Sequence, residues 1–400
     1  MKDFGYEEYN ASPLEYTEIY KAKSGEEIAK EQTYTFKDKG DRTISLRPEM
    51  TPTAARMIAK RNRELIFPVR WYSISNIFRY ESPQKGRLRE HYQLNADIFG
   101  GVPEKADLEM IDLTHRLMRN FGAKTTDFTI RMNDRRILGS LYDIHQIDED
   151  DRPSVSKLLD KKNKISEKEL IKEMTRYLDK ERVKLFLETI STPTKTLEDV
   201  GQEHPAVKHI VSIIEELSVV GITNIIFDPT LVRGFDYYTG FVFEVFDTDP
   251  DNSRSIFGGG RYDTLISLFC DREIPAVGFG LGDVRLLEFL KSHSLLPLNE
   301  TEVKVMICHM NEHPYARSSS VANVFRDNNI PTEVDISGKK IKDQISKASK
   351  KNIPFIVVIG EDEKMKVKHL DSKEEREMTI EDAIEWITET LITEGSWQEK

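Results

Sequence analysis

The sequence predicts an α/β chain in two parts: a mixed α+β domain built on antiparallel strands and interrupted by a helical insertion, then a small α/β domain. Three observations predict it. From residue 4 to about 128, strand-like runs alternate with helix-like ones. From about 135 to 217 the chain becomes rich in Lys, Glu, Leu and Ile at helical spacing. After a Pro-containing polar stretch at 295–301, five runs follow in β-α-β-α-β order, which implies a parallel or mixed sheet covered by helices.

In the first domain, 43–46 and 69–77 read as strands, and 52–61 and 104–121 as helices. Residues 74–81 and 92–99 each alternate apolar and polar side chains, as half-buried strands do, around a turn of Pro83, Gln84, Lys85 and Gly86. Pro153, Pro193 and Pro205 read as breaks in the helical stretch. Strand-like sequence resumes at 223–227 and 241–246, so the first domain closes around its insertion. Beyond the linker, 303–308, 332–336 and 354–359 read as strands, with helices at 314–327 and 339–351. The expected boundaries are 1–296, with the insertion at about 135–217, and 303–400.

The chain has 400 residues, enough for two or three domains with a core in each. It contains no apolar run near the length of a membrane span and no signal-like N-terminus, so the expected location is the cytoplasm, with no membrane partner. Cys270 and Cys308 lie far apart without ligand spacing, which argues against a disulfide framework or a zinc site; both read as plain buried thiols, and no metal ligands are assigned. A net charge of −11 argues against broad, nonspecific nucleic-acid binding. Lys339, Lys340, Lys342, Lys347, Lys350 and Lys351 nevertheless fall in one short helical segment, either a solvated face or a local phosphate-binding stripe.

Residues 78–101, FRYESPQKGRLREHYQLNADIFGG, carry more cationic donors in Arg79, Lys85, Arg87 and Arg89 than a hairpin needs, a set suited to a triphosphate. Glu81 stands two residues after Arg79, which on a strand puts both on one face. Residues 231–240, LVRGFDYYTG, mix a cation, an acid and two tyrosines with glycine, a combination that suits a ligand site. In FGGGRYD, 257–263, the three glycines serve either close approach of a ligand or a simple turn.

FRYE followed by a Gly/Arg loop resembles motif 2 of the class II aminoacyl-tRNA synthetases. LVRGFDYYTG and FGGGRYD resemble the two signature peptides of histidyl-tRNA synthetases, and AVGFGLGDVRLL, 276–287, resembles motif 3. The four segments come in the family's order. The resemblance implies a class II antiparallel-sheet catalytic core with a helical insertion, followed by an anticodon-binding domain. It implies a histidine–tRNA ligase that activates histidine with ATP and Mg²⁺ and transfers it to the 3′ end of tRNA(His), working as a homodimer.

Residue by residue, the resemblance implies that Arg79 and Arg285 contact the α- and γ-phosphate sides of ATP and that Arg87 reaches its terminal phosphates. Glu81 would accept from the adenine amine, and His91 would stack on the ring. Arg233 would contact the histidine carboxylate and the α-phosphate. Glu49 and Thr51 of RPEMT would lie around the α-amino group, Asp97 and Tyr238 would read the two ring nitrogens, and Gln93 and Tyr262 would complete the pocket. A noncatalytic histidine-sensing paralogue, like the regulatory subunit of ATP phosphoribosyltransferase, is the alternative; retention of Arg79, Glu81, Arg87, Arg233 and Arg285 weighs against it. Two departures stand out. The chain starts MKDFGYEEY, without the strand or loop and most of the motif 1 helix that the family places before this point, so dimerisation is expected to use what remains or the start is truncated. The third motif reads GLGDVRLL in place of an ERL run.

Overall fold

Alternation along the strands of the first part decides which face of its sheet is covered and which is left for chemistry. The computed structural model describes residues 1–21, 32–81, 88–160, 162, 165–232, 237–252, 254–296, 301–309, 315–359 and 364–394. The chain divides into two compact units, Met1–Leu296 and Pro297–Lys400.

Among the described residues the first unit contains β1 (Glu7–Glu8), β2 (Leu14–Tyr16), β3 (Thr35–Lys37), β4 (Thr43–Leu46), β5 (Val69–Phe78), β6 (Glu90–Phe99), β7 (Phe128–Asp134), β8 (Ile225–Phe227), β9 (Phe241–Asp247), β10 (Ser255–Arg261) and β11 (Ala276–Gly282). Eight of them form one sheet in the order β1-β5-β6-β11-β10-β9-β7-β8, and β2-β4-β3 form a small second sheet. From β5 across to β7 every neighbouring pair is antiparallel; β1 and β8 join the edges in parallel.

On β6, Leu94, Ala96 and Ile98 turn to one face and join Val277, Phe279 and Leu281 of β11 under the helices Pro103–Asn120, Pro205–Val219 and Asp283–Ser292. This is the larger core, and each Ile, Leu, Met or Phe buried in it contributes about 1.5–3 kcal/mol. The opposite face carries Gln93, Asn95 and Asp97 on β6, with Gly278 and Gly280 beside them on β11. It is closed by a second cluster in which Met50, Ala54, Ala55 and Ile58 meet Tyr237, Tyr238 and Tyr262 around the helix Thr51–Arg61.

The helices between β7 and β8 do not form one body. Leu138, Leu141, Val155, Leu170, Val183 and Phe186 pack together as a separate cluster. Ala206, Val207, Ile210 and Ile213 join the core of the main sheet instead. An apolar helical stripe announces that a helix is covered, not by what, and so the sequence pattern extends the insertion through 217. The prolines read as breaks stand in first turns: Pro153 is the second residue of the helix Arg152–Asp160, and Pro193 and Pro205 begin the helices Pro193–Val200 and Pro205–Val219. Proline lacks only an N–H that is unsatisfied there in any case.

The strand expected over 74–81 ends at Phe78. The Arg79 N–H makes one further bond to the Arg89 carbonyl at 2.9 Å, and then the Glu81 N–H turns back to the Arg79 carbonyl at 2.9 Å. Pleating therefore does not place Arg79 and Glu81 on one face. FGGGR, by contrast, is not a turn but part of β10. A Cβ on Gly259 would lie 2.0 Å from the Gly278 carbonyl oxygen, so close strand approach demands glycine.

The second unit has β12 (Val305–Cys308), β13 (Thr332–Val334), β14 (Phe355–Ile359), β15 (Met365–His369) and β16 (Glu375–Met378) in the order β13-β12-β14-β15-β16. The first three are mutually parallel and the last two antiparallel, giving a mixed sheet with the helices Tyr315–Asp327, Ile341–Lys350 and Ile380–Thr393. Cys308 is fully buried and its thiol is pushed up to about 12 by that burial, whereas Cys270 is only half-buried, contrary to expectation. Of the six lysines, Lys347 pairs with Asp335 at 2.9 Å and Glu333 at 3.1 Å, and Lys351 with Glu333 at 2.6 Å. Lys339, Lys340, Lys342 and Lys350 have no ion pair among the described residues. No described helix is long and apolar enough to cross a membrane.

Candidate active site

A cavity opens on the polar face of the large sheet, lined by Glu49, Thr51, Arg79, Gln93, Asn95, Tyr237, Tyr238, Tyr262 and the backbone of Gly258 and Gly278 to Gly280. Strand period explains its floor. Gln93, Asn95 and Asp97 stand at alternate positions of β6, and their Cα partners on β11 are Gly282, Gly280 and Gly278. The glycines leave the space that these side chains fill. A Cβ at Gly278 would sit 2.0 Å from Asp97 Oδ1, and one at Gly280 would sit 2.0 Å from Gln93 Nε2.

Asp97 is 1% exposed and lies at the closed end. The Tyr262 hydroxyl donates to its Oδ1 at 2.5 Å, while its Oδ2 has no partner among the described residues. Burial raises its pKa to about 7, against the pull of the tyrosine bond. Gln93 Oε1 and Asn95 Oδ1 are also buried without partners among the described residues. Three acceptors left open on one face of β6, two of them in the cavity lining, call for a ligand that brings donors, because an unsatisfied buried acceptor costs about 1–3 kcal/mol.

The opposite wall is donor-rich but anchored. The Tyr237 hydroxyl donates to Glu49 Oε2 at 3.0 Å, and Glu49 is itself 2% exposed. Burial, then the carboxylate beside each, holds the Tyr237 and Tyr262 phenols well above their usual range, so both stay protonated as donors. The Tyr237 and Tyr238 rings are 4.9 Å apart, and Arg135, at the first turn of the helix Arg135–Ile144, donates to the Tyr238 carbonyl at 2.6 Å. Thr51, the first residue of its helix, is buried at the rim.

Toward the open end the groups change character. Arg79 lines the cavity with its Nε held by the Pro48 carbonyl at 2.8 Å. The His91 ring feels Arg79, Glu81 and Asp283; burial first and then Arg79 lower its pKa, so it is neutral at pH 7. Arg285 sits near the start of the helix Asp283–Ser292, outside the cavity lining, with its guanidinium on Glu288 Oε2, on Asn252 Oδ1 at 3.3 Å and on the Ser255 carbonyl at 3.4 Å.

The structure thus brings Glu49, Thr51, Arg79, Gln93, Tyr238 and Tyr262 around one cavity, with Asp97 directly behind the lining against Tyr262 and Gly278, and sets Glu81, His91 and Arg285 apart from that lining. Arg87 and Arg233 lie outside the described residues. Asn95 and Tyr237 line the cavity without having been singled out from sequence. The signal for Asn95 was the i, i+2, i+4 spacing of Gln93, Asn95 and Asp97; for Tyr237 it was the doubled tyrosine of DYY. The arginine of FGGGRYD is structural: Arg261 grips Asp107 at 2.6 Å and Asp263 at 2.9 Å, and His209 shares Asp107 at 2.9 Å.

Comparison with known proteins agrees in both units. A family model described as histidyl-tRNA synthetase matches residues 1–286, and an anticodon binding domain model matches 302–390. A histidine–tRNA ligase of Leptospira biflexa is 41% identical over 402 residues, covering 98% of this chain and 92% of that protein. One from Thermoplasma volcanium is 32% identical, over 96% of this chain and 91% of the relative. The solved structure of histidyl-tRNA synthetase from Nostoc sp. PCC 7120 shares the fold, with a TM-score of 0.81 at 23% identity over 98% of this chain and 93% of that one. With family matches running through both units and relatives above 30% identity along nearly the whole length, the chain belongs to the histidyl-tRNA synthetase family.

Proposed function

We propose that this chain is a histidine–tRNA ligase. Histidine and ATP form histidyl-adenylate and pyrophosphate, and the adenylate is then passed to the 3′ end of tRNA(His). In the first step a carboxylate oxygen of histidine attacks the α-phosphorus, and the bond to the β-phosphate oxygen breaks as pyrophosphate leaves. In the second, a 3′-terminal ribose hydroxyl attacks the carbonyl carbon and AMP departs. No protein nucleophile is needed; catalysis is positioning and charge stabilisation.

The observation that carries the reading is the row of open acceptors on β6, which suits an imidazole N–H and an ammonium, in a chain of this family. In this reading Asp97 and Tyr238 take the two ring nitrogens, with Tyr262 holding Asp97. Glu49, Thr51 and Gln93 surround the α-amino group. Arg233 bridges the carboxylate and the α-phosphate, Arg79 grips the α-phosphate, and Arg285 and Arg87 take the terminal phosphates. Glu81 accepts from the adenine amine while the neutral His91 ring stacks on the base. A site that hydrogen-bonds both ring nitrogens rejects isosteres that a merely apolar pocket would admit.

Mg²⁺ accompanies ATP in this scheme. Phosphate oxygens and water would supply most of its shell, with one or two carboxylates, as is usual for this ion. The enzyme acts as a cytoplasmic homodimer, and the exposed Lys339, Lys340, Lys342 and Lys350 contact the tRNA backbone. The histidine-sensing alternative is set aside because the family match continues through the anticodon-binding unit. Pyrophosphate exchange tests the proposal: the protein should exchange label between pyrophosphate and ATP with histidine alone among the amino acids, and Arg233→Ala should abolish it. Histidine binding without exchange would instead favour a sensor.

A further inference from the structure

Asn95 is 3% exposed, lines the cavity, and sits midway between Gln93 and Asp97 on the same face of β6. Its amide oxygen has no partner among the described residues. Its Cα partners on the two neighbouring strands are Gly280 and Ser73. A Cβ on Gly280 would lie 3.5 Å from Asn95 Nδ2, so the carboxamide leans over β11 into the space that the glycine leaves. Neither strand offers a side chain that satisfies it. A folding role alone would leave a buried amide oxygen unpaired for no return, since an apolar residue of similar size would fill the site without that cost.

We infer that Asn95 is a substrate-binding residue, its carboxamide oxygen accepting an N–H of the bound amino acid between the contacts made by Gln93 and Asp97. The inference rests on the proposed function and adds a contact to it. Asn95 stands between Gln93 and Asp97 along β6, and a row of three acceptors rather than two makes the pocket selective for a side chain and an ammonium that both carry N–H donors. An apolar amino acid of similar size would leave the row unsatisfied.

The test is pyrophosphate exchange by the full-length wild type, Asn95→Ala and Asn95→Ser, with KM measured separately for histidine and ATP. The inference predicts that both variants raise the histidine KM about tenfold while the ATP KM stays within about twofold. A histidine KM unchanged in both variants, or an equal rise in both KM values, overturns it while wild-type exchange leaves the ligase reading standing. Absence of exchange in the wild type sinks that reading and this one with it. Should Asn95→Ala fail to fold, Asn95→Ser, which keeps a polar group in the site, gives the same decisive split.

Discussion

The closed and open ends of the candidate site are built on opposite plans. At the closed end, Asp97, Asn95 and Gln93 present buried acceptors that nothing in the described protein satisfies, and Tyr262 and Tyr237 are already committed to Asp97 and Glu49. At the open end the cations are not idle: Arg79 is parked on the Pro48 carbonyl and Arg285 on Glu288, Asn252 and Ser255. The two ends divide the labour of binding. Neutral or singly charged N–H donors suit a floor that is buried and lacks partners, while polyanionic phosphates need cations that can exchange an internal acceptor for an external one.

The strongest way to break this contrast is Asp97→Ala, which should lower kcat/KM for histidine by roughly 10³-fold in pyrophosphate exchange. A loss below about tenfold would mean that the floor does not read the ligand. Arg285→Ala attacks the other end and should raise the ATP KM by about 10- to 100-fold, with histidine binding by calorimetry unchanged. Gly278→Ala sharpens the contrast by geometry alone: the new methyl collides with Asp97 and the Ala96 carbonyl, so unfolding stability should fall by about 1–3 kcal/mol and the histidine KM should rise with little change for ATP.

Titration gives a smaller effect. Burial raises the Asp97 pKa from 3.8 to about 7, so the folded apoprotein holds a proton there that the unfolded chain has already released. Stability from this group is therefore complete below the unfolded value and is lost as pH rises through about 7. Asp97→Asn removes the titration, so its stability relative to wild type should climb between about pH 4 and 7 and then level off in urea unfolding; a pH-independent difference would contradict the burial argument. The smallest expected change lies in the other unit. Alanine at Lys339, Lys340, Lys342 and Lys350 should weaken tRNA binding and reduce its salt slope by up to about one for each phosphate no longer neutralised, with exchange untouched.

Most of the fold and much of this site could be read from residue patterns, because β6 and β11 carry two messages in alternate positions. Leu94, Ala96 and Ile98 announce a covered face, and the polar residues between them announce a site. What alternation does not encode is where a strand stops. Arg79 and Glu81 fit the pattern, yet the chain turns after Phe78, and their relation depends on two backbone bonds. Residues 205–219 show the same limit for helices: a clear apolar stripe without an address. The two charged strands β15 and β16, Met365–His369 and Glu375–Met378, carry no legible signal because three of five residues in one are Lys or His and three of four in the other are charged, so neither shows the apolar run that marks a buried strand. For Asn95, alternation marks the face but not the role: a neutral amide gains a ligand-binding reading only once burial shows that its oxygen has nothing to bond.

The division of labour is tested most directly by calorimetric histidine binding without ATP to wild type, Asp97→Ala and Arg285→Ala. The account predicts that wild type and Arg285→Ala bind histidine with equal affinity and that Asp97→Ala shows no measurable binding. Equal binding by Asp97→Ala, or its loss in Arg285→Ala, would show that the floor and rim do not divide the substrates in this way.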